Sequence, residues 1–114
     1  MSFKAIKICV VVLICAFKLK AQTGEIYGVI TNSDADSIGA AFVSLFKEGN
    51  QIDAVYSDFN GAYFFSGIDP GSYDVSVESL GLQSKTIQGV LVGTNQKVEL
   101  NFRLLASSRA VDVV

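Results

Sequence analysis

Histidine is absent from the 114 residues, and the two cysteines, Cys9 and Cys15, both lie near the amino terminus. Without imidazole there is no ordinary base to activate a serine or cysteine nucleophile, and the commonest ligand of zinc and copper is missing. Positive charge is also sparse where it would matter. Four of the nine basic residues, Lys4, Lys7, Lys18 and Lys20, precede Ala21. Beyond them stand Lys47, Lys85, Lys97, Arg103 and Arg109, five positive against eleven negative, a net charge of −6. Scattered single cations on an acidic chain exclude a nucleic-acid face and disfavour an anionic membrane surface. No glycine-rich phosphate loop is present, because the glycines are spread through turns. Helical periodicity is missing as well.

The amino terminus is laid out as a secretory signal peptide: Lys4 and Lys7, an apolar run from Ile8 to Phe17, then Ala21-Gln22. Cleavage is expected after Ala21. The alternatives are a retained anchor and a lipidated Cys15. A spanning helix needs roughly 20 apolar residues, and this run is stopped by Lys18 and Lys20; Val12-Leu13-Ile14 lacks the small residues that precede a lipoprotein cysteine. Processing would remove both cysteines, leaving a disulfide-free domain in an oxidising compartment. The expected organisation is a signal peptide over 1–21, one domain over 22–105 and a flexible tail over 106–114, with no transmembrane segment in the mature chain.

What is present is alternation. Seven short strands are predicted, with turn signals about every 8 to 12 residues, as in a sandwich: Glu25–Thr31, Phe42–Lys47, Asp53–Ser57, Ala62–Ser66, Tyr73–Glu78, Lys85–Val92 and Lys97–Leu104. Each connection holds Gly, Asn, Asp or Pro. Because strand side chains alternate between faces, Val98, Leu100, Phe102 and Leu104 point inward. So do Ile26, Ile30, Val43, Leu45, Tyr63, Phe65, Tyr73, Val75 and Val77. Gly89, inside the apolar run 87–92, predicts a bulge or a close backbone approach. The fold class is therefore all-β, a seven-stranded Greek-key-type β-sandwich.

The densest signal is Gly61-x-Tyr63-x-Phe65-x-x-Ile68-x-Pro70-Gly71-x-Tyr73-x-Val75-x-Val77, followed by Gly81. It resembles the signature of carboxypeptidase regulatory-like domains, which are prealbumin-like, or transthyretin-like, sandwiches grouped with carbohydrate-binding-like folds. Gly28-x-Ile30, Ala41-x-Val43-x-Leu45 and Ser57-Asp58 are similar to the upstream strands and polar pair of that family, so the resemblance spans about Gly24 to Leu104. At Ile38 to Ala41 the chain departs from the proline-containing loop usual there. The resemblance implies an accessory domain without peptidase activity, since the metal-binding part of such carboxypeptidases is a different domain. In TonB-dependent receptors such a domain can precede a short acidic-valine segment and the plug, and Val111-Asp112-Val113-Val114 is similar to that segment.

Residue by residue, chemistry is mostly excluded. Asn32-Ser33-Asp34-Ala35-Asp36-Ser37 offers alternating oxygen atoms but lacks the glycine and terminal glutamate of a calcium loop, and reads as a solvated Asx turn. Asp58, Asp69 and Asp74 would serve acid catalysis only if they met in space. Four rings, Tyr27, Phe42, Phe46 and Phe64, fall on the parity opposite to the core, and large exposed rings on a small domain mark a binding face. The alternative is that they lie under a loop, fill a second buried face or sit singly on different sheets. The expected function is a non-enzymatic exported accessory or docking module of the bacterial envelope, located in the periplasm, at the outer membrane or outside the cell. Its expected partner is an envelope protein or outer-membrane receptor component. Carbohydrate binding through the surface rings is the alternative. No cofactor and no metal is expected.

Overall fold

The computed structural model describes residues 22–107, an all-β arrangement of eight strands in two sheets. The signal-peptide segment 1–21 and the acidic-valine segment lie outside the described residues. The strands are β1 Gly24–Asn32, β2 Phe42–Lys47, β3 Asn50–Tyr56, β4 Ala62–Ile68, β5 Gly71–Glu78, β6 Lys85–Val92, β7 Lys97–Glu99 and β8 Phe102–Leu104. One sheet runs β4-β1-β7, with β8 also on β1; the other runs β3-β2-β5-β6. Every side chain expected inward from Ile26 to Val77 is buried, and Phe102 and Leu104 join it. Val98 and Leu100 are half-buried against the same core. Period-two patterning thus translates directly into a dry interior between two sheets.

The expected seventh strand, Lys97–Leu104, is two strands. Both pair parallel to β1 in one unbroken register, Tyr27 opposite Glu99 and Ile30 opposite Phe102. Between them the ladder changes partners. Leu100 N donates to Tyr27 O at 2.8 Å, while Val29 N donates to the side-chain Oδ1 of Asn101 at 2.9 Å. The Leu100 carbonyl is instead capped by the Tyr63 hydroxyl. A Cβ on Gly28 would lie 2.0 Å from that carbonyl oxygen, so only glycine lets the two chains approach this closely. Burial without charge compensation pushes the Tyr63 phenol well above its ordinary range.

Turn chemistry moves the start of β3 furthest. β3 begins at Asn50, three residues before the expected Asp53, because the β2–β3 connection is only Glu48-Gly49, both at positive φ. That is the geometry of a two-residue hairpin with the twist of its strands, usually signalled by Asn-Gly. Glutamate in the first position conceals it. At Gly89 the expected bulge is present. Tyr73 pairs with Val90 but Val75 pairs with Ile87, and Gly89 sits at φ 70° with its N–H on Asp74 Oδ1 at 3.1 Å. Comparable register shifts insert an extra residue into β3 opposite Leu45/Phe46 and into β4 near Gly67.

Two contrasts test this account in urea denaturation. Gly28→Ala, which collides with backbone, is expected to cost about 3 kcal/mol, whereas Gly89→Ala, which meets open space but an unfavourable φ, is expected to cost about 1 kcal/mol. Equal costs would show that the close approach at Leu100 is not what fixes Gly28. Tyr63→Phe, which strands the Leu100 carbonyl, is expected to lose about 1.5 kcal/mol, read as a lower urea midpoint with an unchanged slope.

Candidate functional site

The carboxylates proposed as a possible acid pair do not converge. Asp58 lies in the β3–β4 turn at one end of the sandwich and Asp69 in the β4–β5 turn at the other, separated by the length of β4, about 20 Å at 3.3 Å per residue. Asp74 is within β5, occupied with the Gly89 amide. Asp58 Oδ1 accepts from Asn60 N and Ala62 N at 2.9 Å and so shapes its own turn. Asn32 Oδ1 likewise accepts from Asp34 N and Asp36 N, the Asx turn expected there. Among the described residues no group of three or more metal-binding side chains occurs.

The four candidate rings are divided between two surfaces. Tyr27 and Phe64 are direct cross-strand partners on the outer face of the β4-β1-β7 sheet, both exposed. On the other side of β1, Tyr27 is paired with Glu99, whose Oε2 accepts from Asn101 Nδ2 at 3.4 Å. Phe42 and Phe46 lie on the other sheet, half-buried, four residues apart on β2. Phe42 packs on Tyr56 across β2–β3, ring centroids 5.3 Å apart and tilted 57°. Phe46 sits beside Asp74 at the far end of the strand. The structure brings together Tyr27 with Phe64, leaves Phe46 apart, and gives Phe42 a partner, Tyr56, that parity had not singled out.

Phe42 and Tyr56 border a surface at the end of the sandwich where β1 leaves and β2, β4 and β6 begin. Two turns there each present one large apolar side chain. Phe59 is 98% exposed, and Leu80 is fully exposed. Both turns are tied down by backbone bonds: Gly61 N to Asp58 O at 2.9 Å on one side, Leu82 N to Ser79 O at 3.1 Å on the other. The second turn is also buttressed by Gln83 N on Leu105 O and Ser107 N on Gly81 O. Between them the loop holding Gly39 and Ala40 is laced to the first turn by Ala40 N on Ser57 O and by Ser57 Oγ, which donates to Ile38 O and accepts from Ala41 N. Two open clefts of about 430 and 450 Å³ flank Ala40, one walled by Phe59 and Asp58, the other by Phe42, Leu80 and Glu78. Phe59 and Leu80 were missed because each sits inside a turn cluster, Asp58-Phe59-Asn60-Gly61 and Ser79-Leu80-Gly81. The legible signal is the misfit of a large apolar residue in a polar turn.

Among the described residues no helix is long and apolar enough to cross a membrane. None of the curated proteins matches this sequence. Solved structures do match in fold. The chain is similar to a putative carbohydrate binding protein from Bacteroides uniformis (TM-score 0.60, 16% identity, covering 73% of this chain and 41% of that one). It is similar to GBS52, the minor pilin of Streptococcus agalactiae (TM-score 0.60, 15% identity, 75% and 45%). It is also similar to catechol 1,2-dioxygenase from Pseudomonas arvilla C-1 (TM-score 0.60, 11% identity, 77% and 53%). The chain spans about half the length of each of these structures, and identities this low show a common fold alone. At the level of sequence, residues 25–105 match the carboxypeptidase regulatory-like domain. That stretch contains the Gly61–Val77 block, the Gly28 crossing and both exposed turns, and the chain belongs to the carboxypeptidase regulatory-like domain family.

Proposed function

We propose that this domain is a non-enzymatic accessory or docking module of the bacterial envelope, related to the domains that lead TonB-dependent receptors. The observation that carries the reading is the contrast between its carboxylates and its apolar side chains. Asp58, Asp69 and Asp74 stand apart, with Asp58 and Asp74 bonded to backbone amides, whereas large apolar groups stand in solvent on hydrogen-bonded turns and regular strands. A soluble domain does not hold several such groups in water without a use. Membership of a regulatory-like family supports an accessory role, and the likeness to a minor pilin supports an extracellular or envelope setting.

A second reading, carbohydrate binding, is favoured by one arrangement. Phe64, Tyr27, Glu99 and Asn101 lie side by side across the outer face of one sheet, combining ring surface with a carboxylate and an amide. Rings stack on the apolar faces of sugars while polar neighbours bond hydroxyls. The Bacteroides uniformis neighbour is described as a putative carbohydrate binding protein, which supports this reading.

Two measurements separate them. Immobilised chain incubated with envelope extract is expected to retain a protein partner, and recovery of none would count heavily against docking. Calorimetric titration with a panel of soluble oligosaccharides is expected to give no heat that depends on Tyr27 and Phe64. Saturable binding abolished by Tyr27→Ala with Phe64→Ala would transfer the function to the carbohydrate reading.

A further inference from the structure

We infer that the docking surface is the loop end built around Phe59, Ala40 and Leu80, and that its partner is a protein patch with an apolar centre beside lysine or arginine side chains. This rests on the docking reading above and specifies where and with what chemistry it operates.

The two anchors are presented, not merely left over. Phe59 rides a turn held by Asp58 through both its carboxylate and its carbonyl, and Leu80 rides a turn fastened to the segment 105–107. Ala40, at φ 57°, lies between them and lines the clefts on both sides. The apolar strip is therefore continuous from Phe59 across Ala40 to Leu80, with the Phe42–Tyr56 ring pair behind it. Turns held this way lose little backbone freedom when covered, which lowers the ordering cost of binding.

Charge selects the partner. Each cleft has one ionisable wall residue, and both are carboxylates: Asp58 beside Phe59 and Glu78 beside Leu80. No cation lines either cleft. The positive groups of this end, Lys85 and Arg103, line the recess with Leu104 and Leu105 that meets the Leu80 cleft at Ser84, and neither reaches into that cleft. Among the described residues neither Asp58 nor Glu78 makes an ion pair, so their charge is available to an incoming surface. An apolar strip with an acidic margin repels anionic lipid and complements basic side chains flanking an apolar core.

The test uses the full chain and two synthetic peptides, one amphipathic in leucine and lysine, the other with glutamate replacing every lysine. Chemical-shift mapping is expected to show the leucine–lysine peptide perturbing residues 39–42, 56–60 and 78–82, with at least tenfold weaker binding by the glutamate peptide. Phe59→Ser with Leu80→Ser should weaken binding about tenfold without changing the fold, since neither side chain is packed. Asp58→Asn keeps the Oδ1 acceptor of the turn; with Glu78→Gln it should remove most of the salt dependence. Equal binding of both peptides, shifts mapping elsewhere, binding to phosphatidylcholine vesicles through the same residues, or self-association through them in sedimentation would each overturn the inference. An envelope partner captured equally by the wild type and the Phe59/Leu80 variant would overturn this surface and leave docking standing. Capture by neither would remove docking itself.

Discussion

The Leu100 carbonyl lying over Gly28 is the constraint on which the rest of the architecture depends. β1 is the inner strand of its sheet and bonds β4 on one side and the C-terminal strands on the other. Its outer neighbours can close on it only because position 28 has no side chain. At that crossing the chain exchanges a backbone acceptor for the Asn101 carboxamide and hands the displaced carbonyl to the Tyr63 hydroxyl. Both the Val29 amide and the Leu100 carbonyl remain satisfied, the condition for a break in a ladder to be tolerated inside a small domain. Because the register is the same before and after the break, Phe102 and Leu104 still arrive in the core beside Tyr63, whose ring is 6.1 Å from that of Phe102.

The edges of the sheets explain why the loop end, and not a strand edge, is left as the contact surface. β3, β4 and β6 are three of the four outer edges of the two sheets, and each carries a register shift with one extra residue; the fourth edge, β7 and β8, is interrupted between Glu99 and Phe102. A bulge twists the edge and interrupts the row of unpaired N–H and C=O groups that would otherwise template another chain. Partner recognition by strand addition is thereby blunted along all three. Docking by side chains on turns faces no such obstacle. The family scaffold supplies rigidity, and the turns supply the contact, the same division seen wherever binding residues sit on loops over a fixed frame.

The core was legible because one physical rule, alternation about a strand, governs it, and every side chain it assigns inward from Ile26 to Val77 is buried. Gly89 was legible for the same reason, as an interruption in an apolar run. The Lys97–Leu104 split was not, since its alternation is perfect and the break arises from a partner 72 residues away. The β2–β3 turn was hidden by a glutamate doing the work of an asparagine. The candidate site was the least legible part. Parity gave the outward direction of Tyr27, Phe42, Phe46 and Phe64, but which of them share a surface depends on strand order, which local pattern does not encode. Phe59 and Leu80 were invisible to parity because they belong to no strand.

Energetics bear on the kind of partnership such a surface sustains. Burying a phenylalanine and a leucine side chain from water is worth about 2 to 3 kcal/mol each, while association costs at least about 4 kcal/mol in lost translational and rotational freedom. The two anchors alone therefore nearly cancel the cost of binding. The surplus has to come from the half-buried Phe42 with the exposed Tyr56 beside it, and from the carboxylates, whose contribution is chiefly orientation and encounter rate. A contact of that strength is short-lived between free molecules but effective between tethered ones, where local concentration reaches the millimolar range. Preorganisation of the turns then matters more than area, because backbone already ordered by Asp58 or by the Gly81–Ser107 bond is backbone the partner need not order.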